Sequence, residues 1–99
     1  MRAIYINSKE KKAEVIDTPD NLQNYRRLLD CDMIDFVTLG NGNDVIIDDE
    51  GLFCAEKFFS INGSVLMAGN GLIVGIDEDR CIDCTLNLAD LQIRYFDKT

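Results

Sequence analysis

Apolar residues fall along this chain in short runs separated by polar, glycine-containing turns, a pattern of strands with one clear helical interruption. Ala3, Ile4, Tyr5 and Ile6 within residues 2–7 predict a first strand, and Ala13, Val15 and Ile16 within 13–17 a second. The segment between them, Ser8-Lys9-Glu10-Lys11-Lys12, is short and polar, so the two strands should form a hairpin. The period then changes. Leu22, Tyr25, Leu28 and Leu29 recur at steps of three and four, which places them on one face of a helix over about 19–30. Thr18 can cap that helix, and Pro19 suits its first position, where the missing N–H costs nothing. Arg26 and Arg27 lie near its C-terminal end, where the helix dipole favours cations.

Beyond the helix the strand pattern returns. Residues 33–39 and 44–48 read as strands flanking the turn cluster Gly40-Asn41-Gly42-Asn43, whose residues tolerate positive φ. Asp49-Glu50-Gly51 turns the chain, and Leu52-Phe53-Cys54-Ala55 reads as a short returning strand. Residues 56–64 carry no clear period. The apolar runs 65–69 and 71–76 read as buried strands, or as one strand broken by a bulge at Gly69-Asn70-Gly71. Residues 77–84 read as an acidic loop. Asn87 can cap a short C-terminal helix, with Asp90 three residues on and Leu86 placed against Leu91. The competing reading there is an alternating strand through Leu91, Ile93 and Tyr95. The fold class is thus α+β over a single domain, 1–99. It should hold a mixed or largely antiparallel sheet of about five or six strands, one helix on a face and a short C-terminal helix.

Composition narrows the function more than the fold. The chain has 99 residues, 46% of them hydrophobic, which is enough for one core but little for a deep cavity beside it. No apolar run approaches the roughly 20 residues that span a bilayer. The opening residues lack the apolar core and cleavage site of a signal peptide, so a cytoplasmic location is expected. Eighteen acidic against ten basic residues give a formal charge of −8. That charge disfavours direct binding to nucleic acid, which needs a Lys/Arg footprint. It keeps the chain soluble, or at the extreme lets its carboxylates mimic phosphates. Histidine is absent, removing the commonest general base and metal ligand together.

Three local patterns invite chemistry. Cys81-Ile82-Asp83-Cys84 could supply half of a zinc site, with Cys31 and Cys54 completing it. No second C-x-x-C exists, and acidic neighbours would dull a redox thiol, so ordinary reduced thiols are expected. Gly69-Asn70-Gly71 lacks the Gly-Lys-Ser/Thr of a phosphate loop and fits a tight turn or close packing instead. Asp77, Glu78, Asp79 and Asp83 lack the spacing of a calcium-binding loop. What remains is surface: adjacent Phe58 and Phe59, of which a strand would expose one, and the carboxylates Asp77, Glu78 and Asp79. These five are the candidate partner-binding residues; no catalytic, cofactor or metal ligand is assigned.

The opening Met-x-Ala-Ile-Tyr-Ile, the Asp-Glu-Gly turn at 49–51 and the stretch Val65 to Gly75 occur in an order that resembles a domain-of-unknown-function family of small proteins from phages, prophages and conjugative elements. The resemblance covers nearly the whole chain. It departs at 56–63, where many relatives carry a Pro/Asn/Arg-containing stretch. It implies an accessory protein of a mobile element, with no catalytic residues to carry over. The expected function is non-enzymatic binding of a protein partner or of a second copy. The alternatives are sequestration of a nucleotide signal between protomers, and acidic mimicry of DNA.

Overall fold

A computed structural model describes residues 1–51 and 55–98. Its main sheet is built from β1 (Arg2–Asn7), β2 (Lys12–Asp17), β3 (Ile34–Gly40), β4 (Asn43–Asp48), β7 (Gly71–Asp77) and β8 (Arg80–Ile82). The strand order is β2-β1-β7-β4-β3, with β8 pairing the far half of β7. A small sheet holds β5 (Lys57–Ile61) between β6 (Met67–Ala68) and β9 (Ile93–Asp97). Every pairing among the described residues is antiparallel. The α-helix α1 (Leu22–Leu29) and the small sheet lie on opposite faces of the main sheet.

This layering explains why β7 reads as an unbroken apolar run. A strand covered on both faces has no polar side to show. Leu72 and Val74 face α1 with Ala3 and Ile46, where they meet Tyr25 and Leu29. Ile73 faces the other way with Ile4, Ile6 and Val45, where it meets Phe59, Ile61 and Met67. Each buried Leu, Ile, Val, Met or Phe among them contributes roughly 1.5–3 kcal/mol by leaving water.

Two Asn-Gly pairs set the hairpin geometry. Asn41-Gly42, with φ of 55° and 77°, joins β3 to β4, and Asn62-Gly63, with φ of 51° and 75°, turns the chain after β5. Positive φ at both central residues gives a turn whose twist matches that of the strands. Ser64 N–H closes the second turn on Ile61 O at 2.9 Å.

Several expectations need correction. The helix is shorter than 19–30, because Thr18 and Pro19 are used to leave β2. Thr18 N–H donates to Met1 O at 2.9 Å, and its hydroxyl accepts from the Asn24 side chain. Asn21 is the N-cap instead, its Oδ1 accepting from Asn24 N–H at 2.8 Å. The helix ends on Asp30 in the left-handed region at φ 51°. Tyr25 and Leu29 are buried as expected, whereas Leu22 remains exposed.

The C-terminal helix is only a 3-10 turn, Leu88–Asp90, and Asn87 makes no side-chain cap bond. The alternating reading prevails beyond it: Ile93 and Tyr95 pack on the core, and the strand pairs with β5 from Ile61↔Ile93 to Lys57↔Asp97. Residues 77–84 are not one loop, since Arg80–Ile82 forms β8. The strand expected over 65–69 shrinks to Met67–Ala68, with Val65 and Leu66 exposed. The strand expected at 52–55 falls largely on residues outside those described.

Candidate functional site

The five candidate residues do not form one surface. Phe59 is fully buried between the sheets. Phe58 is half-buried on the outer face of the small sheet, directly opposite Phe96 of β9, itself 42% exposed. Asp77 ends β7, and Glu78 and Asp79 form the two-residue turn to Arg80, far from the small sheet in the topology. All three carboxylates are exposed, and Glu78 sits at φ 57°, where a side chain other than glycine is uncommon.

Glu78 and Asp79 do share a groove, of about 220 Å³, but with residues outside the five partner-binding candidates: Phe36, Asp44, Ile76, Arg80 and Cys81. Its origin is geometric. An eight-residue helix cannot cover a six-stranded sheet, and α1 covers the end near Leu72 and Ile46. Phe36, at 42% exposure, and Ile76 lie beyond it as an apolar floor. Asp44, Glu78 and Asp79 rim that floor; among the described residues none of them makes an ion pair within 4 Å.

The groove borders a free sheet edge. Asp49 N–H donates to Met33 O at 3.0 Å, which fixes the parity of the β3–β4 ladder. The hydrogen-bonded pairs are then Asp35↔Ile47 and Val37↔Val45, so the N–H and C=O groups of Ile34, Phe36 and Thr38 point away from β4. Among the described residues no strand pairs with that side of β3. One outward donor is occupied locally: Phe36 N–H donates to Asp35 Oδ1 at 2.9 Å.

The thiols lie in different layers. Cys81 packs with the helix-side core and Cys84 with the core between the sheets, so the C-x-x-C pair straddles the main sheet and does not converge. Cys54 lies outside the described residues. Burial pushes the Cys81 thiol above its ordinary pKa, with Asp20 and Asp44 adding to the rise and Tyr25 opposing it. Burial likewise pushes Cys31 up to about 11, helped by Asp48 and Asp32. Tyr25 hydroxyl donates to Asp20 Oδ1 at 2.6 Å and is also held protonated by burial. Tyr25 and Cys81 therefore keep their protons at neutral pH and offer no ready nucleophile.

A second concavity, of about 340 Å³, opens near the β1–β2 turn and is lined by Lys9, Lys57, Asp30, Asp48, Glu56 and Asn70, among others. Its cations are offset by its own acids, and Lys57 Nζ is further paired with Asp97 at 3.0 Å. Asn70 is fully engaged as a strut: its Oδ1 accepts from Ser8 N–H at 3.0 Å, and its amide donates to the Tyr5 hydroxyl at 3.1 Å. The Gly69-Asn70-Gly71 segment is thus a structural connector.

No helix in the described residues is long and apolar enough to cross a membrane. No curated protein and no solved structure matches the chain. A family profile does, over residues 1–98, and by that match the chain belongs to the family described as Domain of unknown function (DUF3846).

Proposed function

We propose that this is a non-enzymatic accessory protein that acts by binding a protein partner. The observation that carries the reading is the groove beside β3, where exposed Phe36 and half-buried Ile76 form an apolar floor rimmed by carboxylates that make no ion pair among the described residues. The titratable groups support it: the shifted thiols and tyrosines all move away from neutrality, the opposite of what acid–base or nucleophilic chemistry requires. The resemblance to phage, prophage and conjugative-element proteins supports a role as a mobile-element accessory in the cytoplasm of its host.

Within one chain, the Lys9–Lys57 concavity is a poor nucleotide site, because its three acids repel phosphates. Mimicry of DNA would need a long acidic track. Asp44 joins Glu78 and Asp79 at one end of β4, while Asp48, Asp49 and Glu50 lie at the other. A thermal-shift screen with nucleotides, beside affinity capture from host-cell extract and reconstitution with the purified partner, separates these readings. A reconstituted protein complex with no nucleotide shift supports protein binding. A nucleotide-dependent rise in Tm, or turnover abolished by one substitution in a described cluster, overturns it.

A further inference from the structure

The geometry points to a specific mode of recognition, one that rests on the protein-binding reading: β3 receives an extended segment of the partner as an added strand, and that segment carries Lys or Arg. Three observations converge. The edge of β3 presents the backbone groups of Ile34, Phe36 and Thr38 outward, the arrangement that strand addition uses. Phe36 offers an apolar contact on the same edge, in a groove with Ile76. The rim of that groove holds Asp44, Glu78 and Asp79 against a single cation, Arg80.

Charge decides between the occupants. A second copy of this chain would bring the same acidic rim, and a net charge of −8, against itself. A basic segment meets complementary charge, so a heterologous basic strand is favoured over a homodimer.

Asp35 gives the edge a guard. Exposed sheet edges invite unspecific pairing, and proteins blunt them with charges and local devices. Here the Asp35 carboxylate occupies the central donor, Phe36 N–H, and leaves the outward groups of Ile34 and Thr38 as the docking points. A partner strand must displace that carboxylate from Phe36 N–H, so only a segment whose own contacts outweigh the local bond stays bound.

The probe is a fluorescent Lys–Val alternating peptide of the length of β3. Its controls are a Glu–Val peptide and a Lys–Val peptide with N-methylated backbone amides. Fluorescence anisotropy with the full chain should give binding of the Lys–Val peptide that weakens with salt, and at least about tenfold weaker binding of both controls. Asp35→Asn removes the charge but keeps an acceptor, whereas Asp35→Ala removes both. The Ala variant should therefore bind about two- to tenfold more tightly than the Asn variant, the worth of one freed donor. Thr38→Pro, which removes an outward N–H, should weaken binding about tenfold while circular dichroism stays unchanged.

Equal binding of the N-methylated peptide, or identical affinities of the two Asp35 variants, overturns strand addition at β3. Self-association through β3 in sedimentation, abolished by Thr38→Pro, would show that the occupant is a second copy. A purified partner that binds with unchanged affinity to Thr38→Pro and to both Asp35 variants would refute this docking mode and leave protein binding standing. Failure to recover any partner, together with a nucleotide-dependent Tm shift, would instead overturn the underlying reading.

Discussion

Replacing Gly71 with alanine tests how the two sheets meet. Gly71 begins β7, pairs with Ile6, and lies under the ring of Phe59. A Cβ placed there would stand 2.5 Å from Cζ, 3.1 Å from Cε1 and 3.3 Å from Cε2 of that ring. The ring is enclosed by the core and cannot swing away at little cost. Overpacking of this kind costs about 1–3 kcal/mol. In an unobstructed strand the same change would stabilise by roughly 0.5–1 kcal/mol, so the sign itself is informative. For a domain of this size each kcal/mol moves Tm by about 4–8 °C, and a fall on the order of 10 °C is expected for Gly71→Ala. Leucine at position 59 lacks all three clashing atoms. Phe59→Leu alone should cost roughly 2 kcal/mol, about 0.8 for each lost carbon. Combined with Gly71→Ala the cost should fall short of the sum by at least about 1 kcal/mol. Chemical denaturation of the four proteins of this cycle gives the coupling. An unchanged or raised Tm for Gly71→Ala, or additive effects, would refute the packing of Phe59 against β7.

Three further outcomes are expected. Cys31, held at a pKa of about 11, should carry about a hundredfold fewer thiolates than an ordinary thiol. Its iodoacetamide alkylation at pH 8 should slow accordingly relative to the denatured chain; equal rates would contradict its burial. Lys57 Nζ, hydrogen-bonded at 3.0 Å, and Lys11 hold Asp97 below the usual carboxylate range. A depressed folded pKa means that this stabilisation is complete above the unfolded value and lost as pH falls through the folded one. Carboxyl NMR should therefore give Asp97 a midpoint below the ordinary value, and Lys57→Gln should raise it. Buried Asn43 donates to Thr85 Oγ1 at 2.8 Å and to Asn41 O at 3.0 Å, and accepts from Thr85 N–H at 3.1 Å. Asn43→Ala should cost about 1–3 kcal/mol in urea unfolding, and a neutral result would contradict that network.

Local signals were legible in the sequence, and distant ones were not. The β1–β2 hairpin, the Asn41-Gly42 turn and the buried Tyr25–Leu29 face follow from short-range chemistry. β8 is three residues long with no period of its own, and it exists because β7 runs past the end of β1. β9 depends on β5, far upstream, so alternation at Ile93 and Tyr95 could not be told from a helix start without its partner. The same limit applies at Phe58 and Phe59. A strand must expose one of two neighbours, but only the approach of Gly71 determines that Phe59 is the buried one. The groove was hidden for a related reason. Phe36 looked like an ordinary strand residue, and its exposure arises because a helix begun at Asn21 and ended at Asp30 stops short of it.

The most direct test is residue-resolved amide exchange of the labelled protein, alone and saturated with the Lys–Val peptide. Added protection should concentrate on the outward amides of β3, at Ile34 and Thr38 above all, with Phe36 slowed as it changes acceptor. Protection centred on Lys9, Lys57 and Asn70, with β3 exchanging as in the free protein, would contradict the account.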